Sequence, residues 1–278
     1  AGFVAGETDV TAGLGGSLTI TRSNVATGAA GTYAGVLMPG GLTSPNYAMS
    51  YVAGDYTIVP AGQLLVKVAN ASAAYGAAGT YAISSVEYLT TNGSTLTTLT
   101  VGSSNGATYT YNDGFGGSVS FTLGATGTFT PGGALPVGNY ALTGSGLSQT
   151  GTNFSGTPIF VGNQAVTPKQ LTTTASKTYD GTRVLPAANL VLAGALAGDT
   201  VAAAGAGEFV LTGAGAGQNY TLGGVTLTGA QAANYFVDTL NPATNGVITV
   251  KTITVTALAA SKVYDGLAFT GGNGAIFA

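Results

Sequence analysis

Short runs along this chain alternate Val, Ile, Leu or Phe with Thr or Ser: SLTITRS (17–23), LLVKVAN (64–70), TYTYN (108–112), SVSFTL (118–123), VTLTG (225–229) and ITVKTITVTAL (248–258). A period of two places every second side chain on the same face, as a half-buried strand requires. Turn formers separate the runs, with NDG at 112–114, YDG at 179–181 and 264–266, and PGG at 39–41 and 131–133. Asp-Gly and Pro-Gly pairs supply the positive φ that tight reversals demand. The stretch AANLVLAGALAG (187–198) has apolar residues at helical spacing, but its two glycines make strand–turn–strand at least as good a reading. The predicted class is all-β.

Charged residues make up 6% of the 278, with a net charge of −3, so no basic patch exists to hold phosphates. That argues against nucleic acid and against an anionic membrane surface as partner. Hydrophobic residues reach 45%, with 14 Tyr and 10 Phe, enough for a core and too many for a chain disordered by its charge. Uncharged stretches such as 114–168 are interrupted by Gly, Pro, Asn and Thr, so no membrane-inserted helix is expected. Cysteine is absent, which fits a long exported bacterial chain and removes any disulfide framework.

Self-similarity organises the chain. Ala-Ser-x-x-Tyr occurs as ASAAYGA (71–77), ASKTYDG (175–181) and ASKVYDG (260–266), each after an alternating run. A pair of aromatics recurs as Tyr33 with Tyr47, Tyr140 with Phe154, and Tyr220 with Tyr235, separated by 14, 14 and 15 residues. Joining Ala278 to Ala1 would space Tyr264 and Tyr75 by 89 residues, between the internal spacings of 104 and 85. The expectation is one period of a tandem array, the alternative being a boundary that matches by accident. The predicted modules are 62–168, 169–250, and a composite of 251–278 with 1–61 of an adjoining copy. The 62–168 module carries about 20 surplus residues within 84–114, read as a Thr-rich hairpin insertion serving as decoration, buttress or lateral contact.

These residues carry a resemblance. The segments ASKTYDGTRVL, GDTVAAAGAGEFV and NYTLGGVTLTGAQAANYF resemble the YDG domain of large bacterial surface proteins. The segments GFVAGETD, GGSLTI and GTYAGVLMPGGLTSPNYAMSYVAGDYTIVPA resemble the second half of an MBG domain, and 62–168 is similar to a more divergent MBG-type unit. The resemblance implies immunoglobulin-like β-sandwiches strung end to end as a stalk of a filamentous-haemagglutinin-like, two-partner-secreted adhesin. It also implies an extracellular, cell-surface location, a role in adhesion or a biofilm matrix, and neighbouring copies of the repeat as head-to-tail partners. Polysaccharide or other matrix components are further candidate partners, and a carbohydrate- or matrix-binding module is the alternative function.

Catalysis has little to work with. Without His or Cys there is no imidazole acid–base pair, no thiolate and no zinc site of the usual kind. Most of the ten acids sit in turns, including AGET (5–8), AGDY (53–56) and AGDT (197–200), where a carboxylate caps backbone N–H groups. The chain is therefore read as no enzyme and as needing no cofactor. A weak Ca2+ site stays open at ETD (7–9) and YNDG (111–114). Tyr33, Tyr47, Tyr140, Tyr220 and Tyr235 recur at fixed positions and read as core or corner tyrosines with hydroxyls tied to backbone. Tyr88, Tyr109, Tyr111 and Phe115 lie in or beside the insertion and are the candidate ligand contacts. Lys177 and Lys262, each two residues before a YDG tyrosine, read as guards of a hairpin edge.

Overall fold

The computed structural model describes the chain apart from residues 1, 2, 4–6, 8, 10, 25–28, 91–94, 241 and 273. Most of AGET (5–8), the middle residue of ETD (7–9), part of the 84–114 stretch and the Ala1 side of the proposed join thus lie outside the described residues. The described residues form strands and turns with no α-helix, and the only helical pieces among them are single 3-10 turns at Ala187–Asn189 and Ala232–Asn234. The ambiguous 187–198 stretch resolves as one such turn followed by a strand, Leu190–Ala193. Alternation works as expected: in Ser118–Ala125, Val119, Phe121 and Leu123 are buried while the residues between them are half-exposed. The all-β expectation holds.

Two compact units are present. The first comprises Ala1–Thr172, Ala193–Ala202 and Leu227–Asp238, and the second Thr173–Leu192, Ala203–Thr226 and Thr239–Ala278. Within the first, Gly15–Arg22, Gly31–Thr43 and Gly54–Ile58 form an antiparallel three-stranded sheet. This sheet buries little, and Leu18 and Ile20 are exposed. A larger body follows in which two sheets face each other. One orders Ile159–Val161, Leu65–Val68, Ile83–Leu89 and Leu96–Thr98, and the other orders Ala71–Ala74, Asn163–Thr167, Gly138–Thr150, Ser118–Ala125, Thr108–Asn112 and Thr100–Asn105. Leu64, Val66 and Val86 from the first meet Val119, Phe121 and Leu142 from the second in a continuous core.

The stretch read as an insertion is no decoration. Its strands join both sheets, crossing between them at buried Leu99, and it supplies Val86, Tyr88, Leu99 and Tyr111 to the core. Thr-rich alternation hid this, because threonine serves on the wet face of a buried strand as readily as in a free hairpin.

The second unit is built on a sheet ordered Val184–Pro186, Ala202–Phe209, Gly215–Thr221, Ala243–Thr249, Thr172–Thr178 and Leu190–Ala193, with Val225–Thr228 paired to Ala202–Phe209. Leu185, Phe209, Tyr220 and Ile248 are its most buried apolar side chains. The Phe209 and Tyr220 rings lie 5.9 Å apart. Residues 251–278 are exposed throughout wherever described.

One arrangement recurs in both units. Ala71–Ala74 runs parallel to Asn163–Thr167, and Thr172–Thr178 runs parallel to Ala243–Thr249. In each case the motif tyrosine comes next, and its N–H donates to the final residue of the partner strand: Tyr75 to the Thr167 carbonyl and Tyr179 to the Thr249 carbonyl, both at 2.8 Å. An early strand and the last strand of each strand set are therefore neighbours pointing the same way.

Candidate functional site

Charge is scarce here, so each carboxylate that gathers several partners is informative. In the first unit Asp199, from the Ala-Gly-Asp-Thr turn, gathers two tyrosines. Its Oδ2 accepts from the Tyr75 hydroxyl and from the Tyr235 hydroxyl, each at 2.6 Å, and its Oδ1 accepts from the Gly132 N–H at 2.9 Å. The Tyr75 and Tyr235 rings meet edge to face with centroids 5.2 Å apart, and both are almost wholly buried. The Tyr235 oxygen also accepts the Leu196 N–H at 2.8 Å, and the Tyr75 hydroxyl shares a hydrogen bond with the Thr130 hydroxyl. Asn234, the residue before Tyr235, accepts the Val137 N–H at 2.8 Å. Three segments of chain are thereby locked around one anion.

The electrostatics suit a lock. Burial alone would push the Asp199 carboxyl up, but the hydrogen bonds from Tyr235, Tyr75 and the Gly132 N–H outweigh it and hold the group below the usual carboxylate range. Burial and then the Asp199 hydrogen bond push the Tyr235 phenol up to about 12, and the same two causes raise Tyr75. The ionised acid and the two neutral phenols stabilise one another. Nothing in the group titrates near neutrality, and its donors and acceptors are spent on each other.

A second, simpler version sits at Glu7, also in the first unit. The Tyr47 hydroxyl donates to Glu7 Oε2, and the ring of Phe3 meets the Tyr47 ring edge to face with centroids 5.4 Å apart. The residue types correspond: Ala-Gly-Glu-Thr (5–8) matches Ala-Gly-Asp-Thr (197–200), and Asn46-Tyr47 matches Asn234-Tyr235. Phe3 takes the ring position that Tyr75 holds at Asp199, without a hydroxyl.

The Ala-Ser-Lys-x-Tyr-Asp-Gly motif folds the same way twice in the second unit. Lys177 Nζ donates to Asp180 Oδ1 at 2.8 Å and to the Thr182 carbonyl at 2.9 Å, while Lys262 Nζ bonds Asp265 Oδ1 at 2.7 Å and the Leu267 carbonyl at 2.8 Å. The Thr182 and Leu267 N–H groups donate to the respective Asp Oδ1 at 2.9 Å, and Gly181 and Gly266 follow at φ 78° and 77°, which a side chain would strain. These lysines do not guard a strand edge: Lys177 is only 6% exposed, and its ammonium fastens the turn by bonding the Val184 carbonyl as well, at 2.8 Å. The cue was the fixed Lys-x-x-Asp spacing, which favours a local ion pair over a solvated charge.

The recurring tyrosines divide into two kinds. Tyr33 and Tyr140 donate to the carbonyls of Ala29 and Pro136, four residues back and 2.8 Å away, and Tyr220 donates to the Thr173 carbonyl at 2.9 Å. These are tied to backbone as expected. Tyr47 and Tyr235 are not; their hydroxyls go to carboxylates, because Glu7 and Asp199 are the strongest acceptors within reach.

The candidate ligand contacts are mostly spent on the core. Tyr88 and Tyr111 are buried, and half-buried Tyr109 donates to the Tyr81 carbonyl at 3.0 Å while packing on Phe121. Phe115 is 78% exposed and shares a pocket of about 400 Å³ with one edge of Tyr88, Thr97 and Asn153. The insertion's aromatics were legible as a cluster, but which face they point to was not.

The YNDG acid is not arranged as a calcium cage. Asp113 Oδ1 accepts the N–H groups of Phe115 and Gly117, both at 2.8 Å, and Oδ2 accepts the Asn153 amide at 2.8 Å, so donors surround it where a cation needs oxygens. Burial would raise this carboxyl, but those bonds, Asn153 first, keep it low. Among the described residues no three acids gather at one point. No described helix is long and apolar enough to cross a membrane.

One family model matches this chain, and the part it covers includes Asp199, Tyr220, Tyr235 and the Lys177–Asp180 turn. Residues 163–244 match the YDG domain family. Comparison with curated proteins and with solved structures returned no match. The segment that matches the YDG domain thus holds both the fastened Tyr179 turn and the acid that holds Tyr75.

Proposed function

We propose that this chain is a structural repeat segment of an extracellular bacterial adhesin or filament, its β modules linked end to end as a stiff stalk or matrix fibre. The observation that carries this reading is the parallel pairing of an early with the last strand in each strand set. Parallel neighbours place the incoming and outgoing chain at opposite ends of a module, so each module adds length. Antiparallel first and last strands would return the chain to its starting end. The scarcity of charge and the spent hydrogen-bonding groups at Asp199 fit a spacer better than a catalyst.

Neighbouring copies are the proposed partners. The sheet of Gly15–Ile58 leaves Leu18 and Ile20 exposed, and in 251–278 Val263, Leu267 and Phe269 are exposed. Each is an exposed apolar surface among the described residues, consistent with a composite, MBG-like module made of 1–61 from one copy and 251–278 from another. Small-angle scattering tests the arrangement. A single globule of this length would have a radius of gyration of about 19 Å, whereas three modules in line, each roughly 35 Å across, give about 30 Å. A value near the lower figure would refute the stalk.

A second reading, a carbohydrate-binding module, draws on the pocket beside Phe115 and Tyr88. Saturable binding to a glycan array that is lost in Phe115→Ala would favour it.

A further inference from the structure

The two acid–tyrosine groups differ in one respect. Asp199 receives two phenol hydroxyls, from Tyr235 beside it in the fold and from Tyr75 at the end of a parallel strand. Glu7 has Tyr47 in the place of Tyr235, but where Tyr75 would stand there is Phe3, 41% exposed and without a hydroxyl. Among the described residues, Tyr47 is thus the one hydroxyl that donates to this carboxylate, where its counterpart receives two.

The chain also carries a second tyrosine presented as Tyr75 is. Tyr179 follows a strand in parallel pairing, donates its N–H to the final residue of the partner strand at the same 2.8 Å, and is 42% exposed where Tyr75 is 1%. The turn after it is fastened by Lys177 and Asp180, so the ring is held at a rigid corner. Tyr264 shares the motif but, among the described residues, is 92% exposed and follows no such strand pair.

We propose that Tyr179 of one copy inserts beside Tyr47 of a second copy, displaces Phe3, and donates its hydroxyl to Glu7. This rests on the end-to-end reading above and names the contact that joins consecutive copies. The contact joins a donor of the second unit in one copy to an acceptor of the first unit in the next, so in tandem copies it repeats head to tail along the array. Between covalently linked copies the effective concentration is millimolar, so an affinity too weak to hold free chains together in dilute solution suffices.

Sedimentation equilibrium of the full chain, from micromolar to about 1 mM, tests it together with Tyr179→Ala and Glu7→Gln. The wild type should self-associate, and each variant should weaken association at least about tenfold, the value of one charge-assisted hydrogen bond. Photo-oxidative dityrosine cross-linking of mixed 14N- and 15N-labelled wild-type chains should give an intermolecular Tyr47–Tyr179 link, with the intramolecular Tyr75–Tyr235 pair as internal standard. Association that survives both variants, or intermolecular links confined to other tyrosines, overturns the proposal and leaves the end-to-end reading standing. A wild type monomeric throughout that range overturns both.

Discussion

Asp199 makes the stability of the first unit depend on pH at both extremes. Its folded carboxyl titrates below the ordinary value near 4, so below about pH 4 the unfolded chain binds more protons and stability falls. Tyr235 acts in the opposite sense. Its phenol keeps its proton up to about 12 in the fold, so its contribution is complete below about pH 10 and is lost between there and its folded value. Thermal melts across pH should show a plateau between these limits. Asp199→Asn should cost about 2 kcal/mol at neutral pH, through the weakened bonds to two phenols and the Gly132 N–H, and should shrink the acid limb. That limb will not vanish, because Asp113 of the same unit is also held low; in the second unit Lys177 and the Thr182 N–H hold Asp180 at about 2, which gives that unit an acid limb of its own. Tyr235→Phe should remove its share of the alkaline limb and, by taking one donor from Asp199, shrink the acid limb as well.

Single elements depend on close fits. In the first unit Gly144 faces Phe160 so closely that an added Cβ would lie 2.1 Å from the ring, and Phe160 packs edge to face on core Phe121 at 5.1 Å. Gly144→Ala should therefore destabilise by about 1–3 kcal/mol through overpacking, read from a chemical denaturation midpoint with an unchanged slope. In the second unit Lys177→Met should cost about 2 kcal/mol by leaving the Thr182 and Val184 carbonyls without their donor, whereas the same change at the exposed Lys262 should cost far less. Strands were the most legible part of this sequence, because alternation reports directly on which side chain faces the core. The positions of the Ala-Ser-x-x-Tyr and aromatic repeats were legible too. What remained hidden was every decision made by a partner distant in sequence. Nothing local reveals that Asp199 takes its hydrogen bond from Tyr75 rather than capping its own turn, or that Tyr111 faces inward and Phe115 outward. The buried lysine was misread because lysine is so often solvated, although its recurrence at the same distance from an aspartate already contained the answer.

At the scale of the whole molecule, the proposed stalk predicts an elongated particle that meets its own kind through the exposed apolar strands, the Glu7–Tyr47 group and Tyr179. A chain joined to a second copy should show its Tyr47 phenol protected from chemical nitration, and the single copy should show it reactive; equal reactivity in the two would argue against contact there. Parallel pairing of an early with a last strand also has a mechanical meaning. Pulled from its two ends, a module so built is loaded along the length of that pair, Ala71–Ala74 on Asn163–Thr167 in one case and Thr172–Thr178 on Ala243–Thr249 in the other. Its hydrogen bonds then share the strain side by side, as the rivets of a lap joint do, and must fail together instead of peeling singly. Resistance to rupture is set by the barrier to that joint failure, not by the modest equilibrium stability of a small β module.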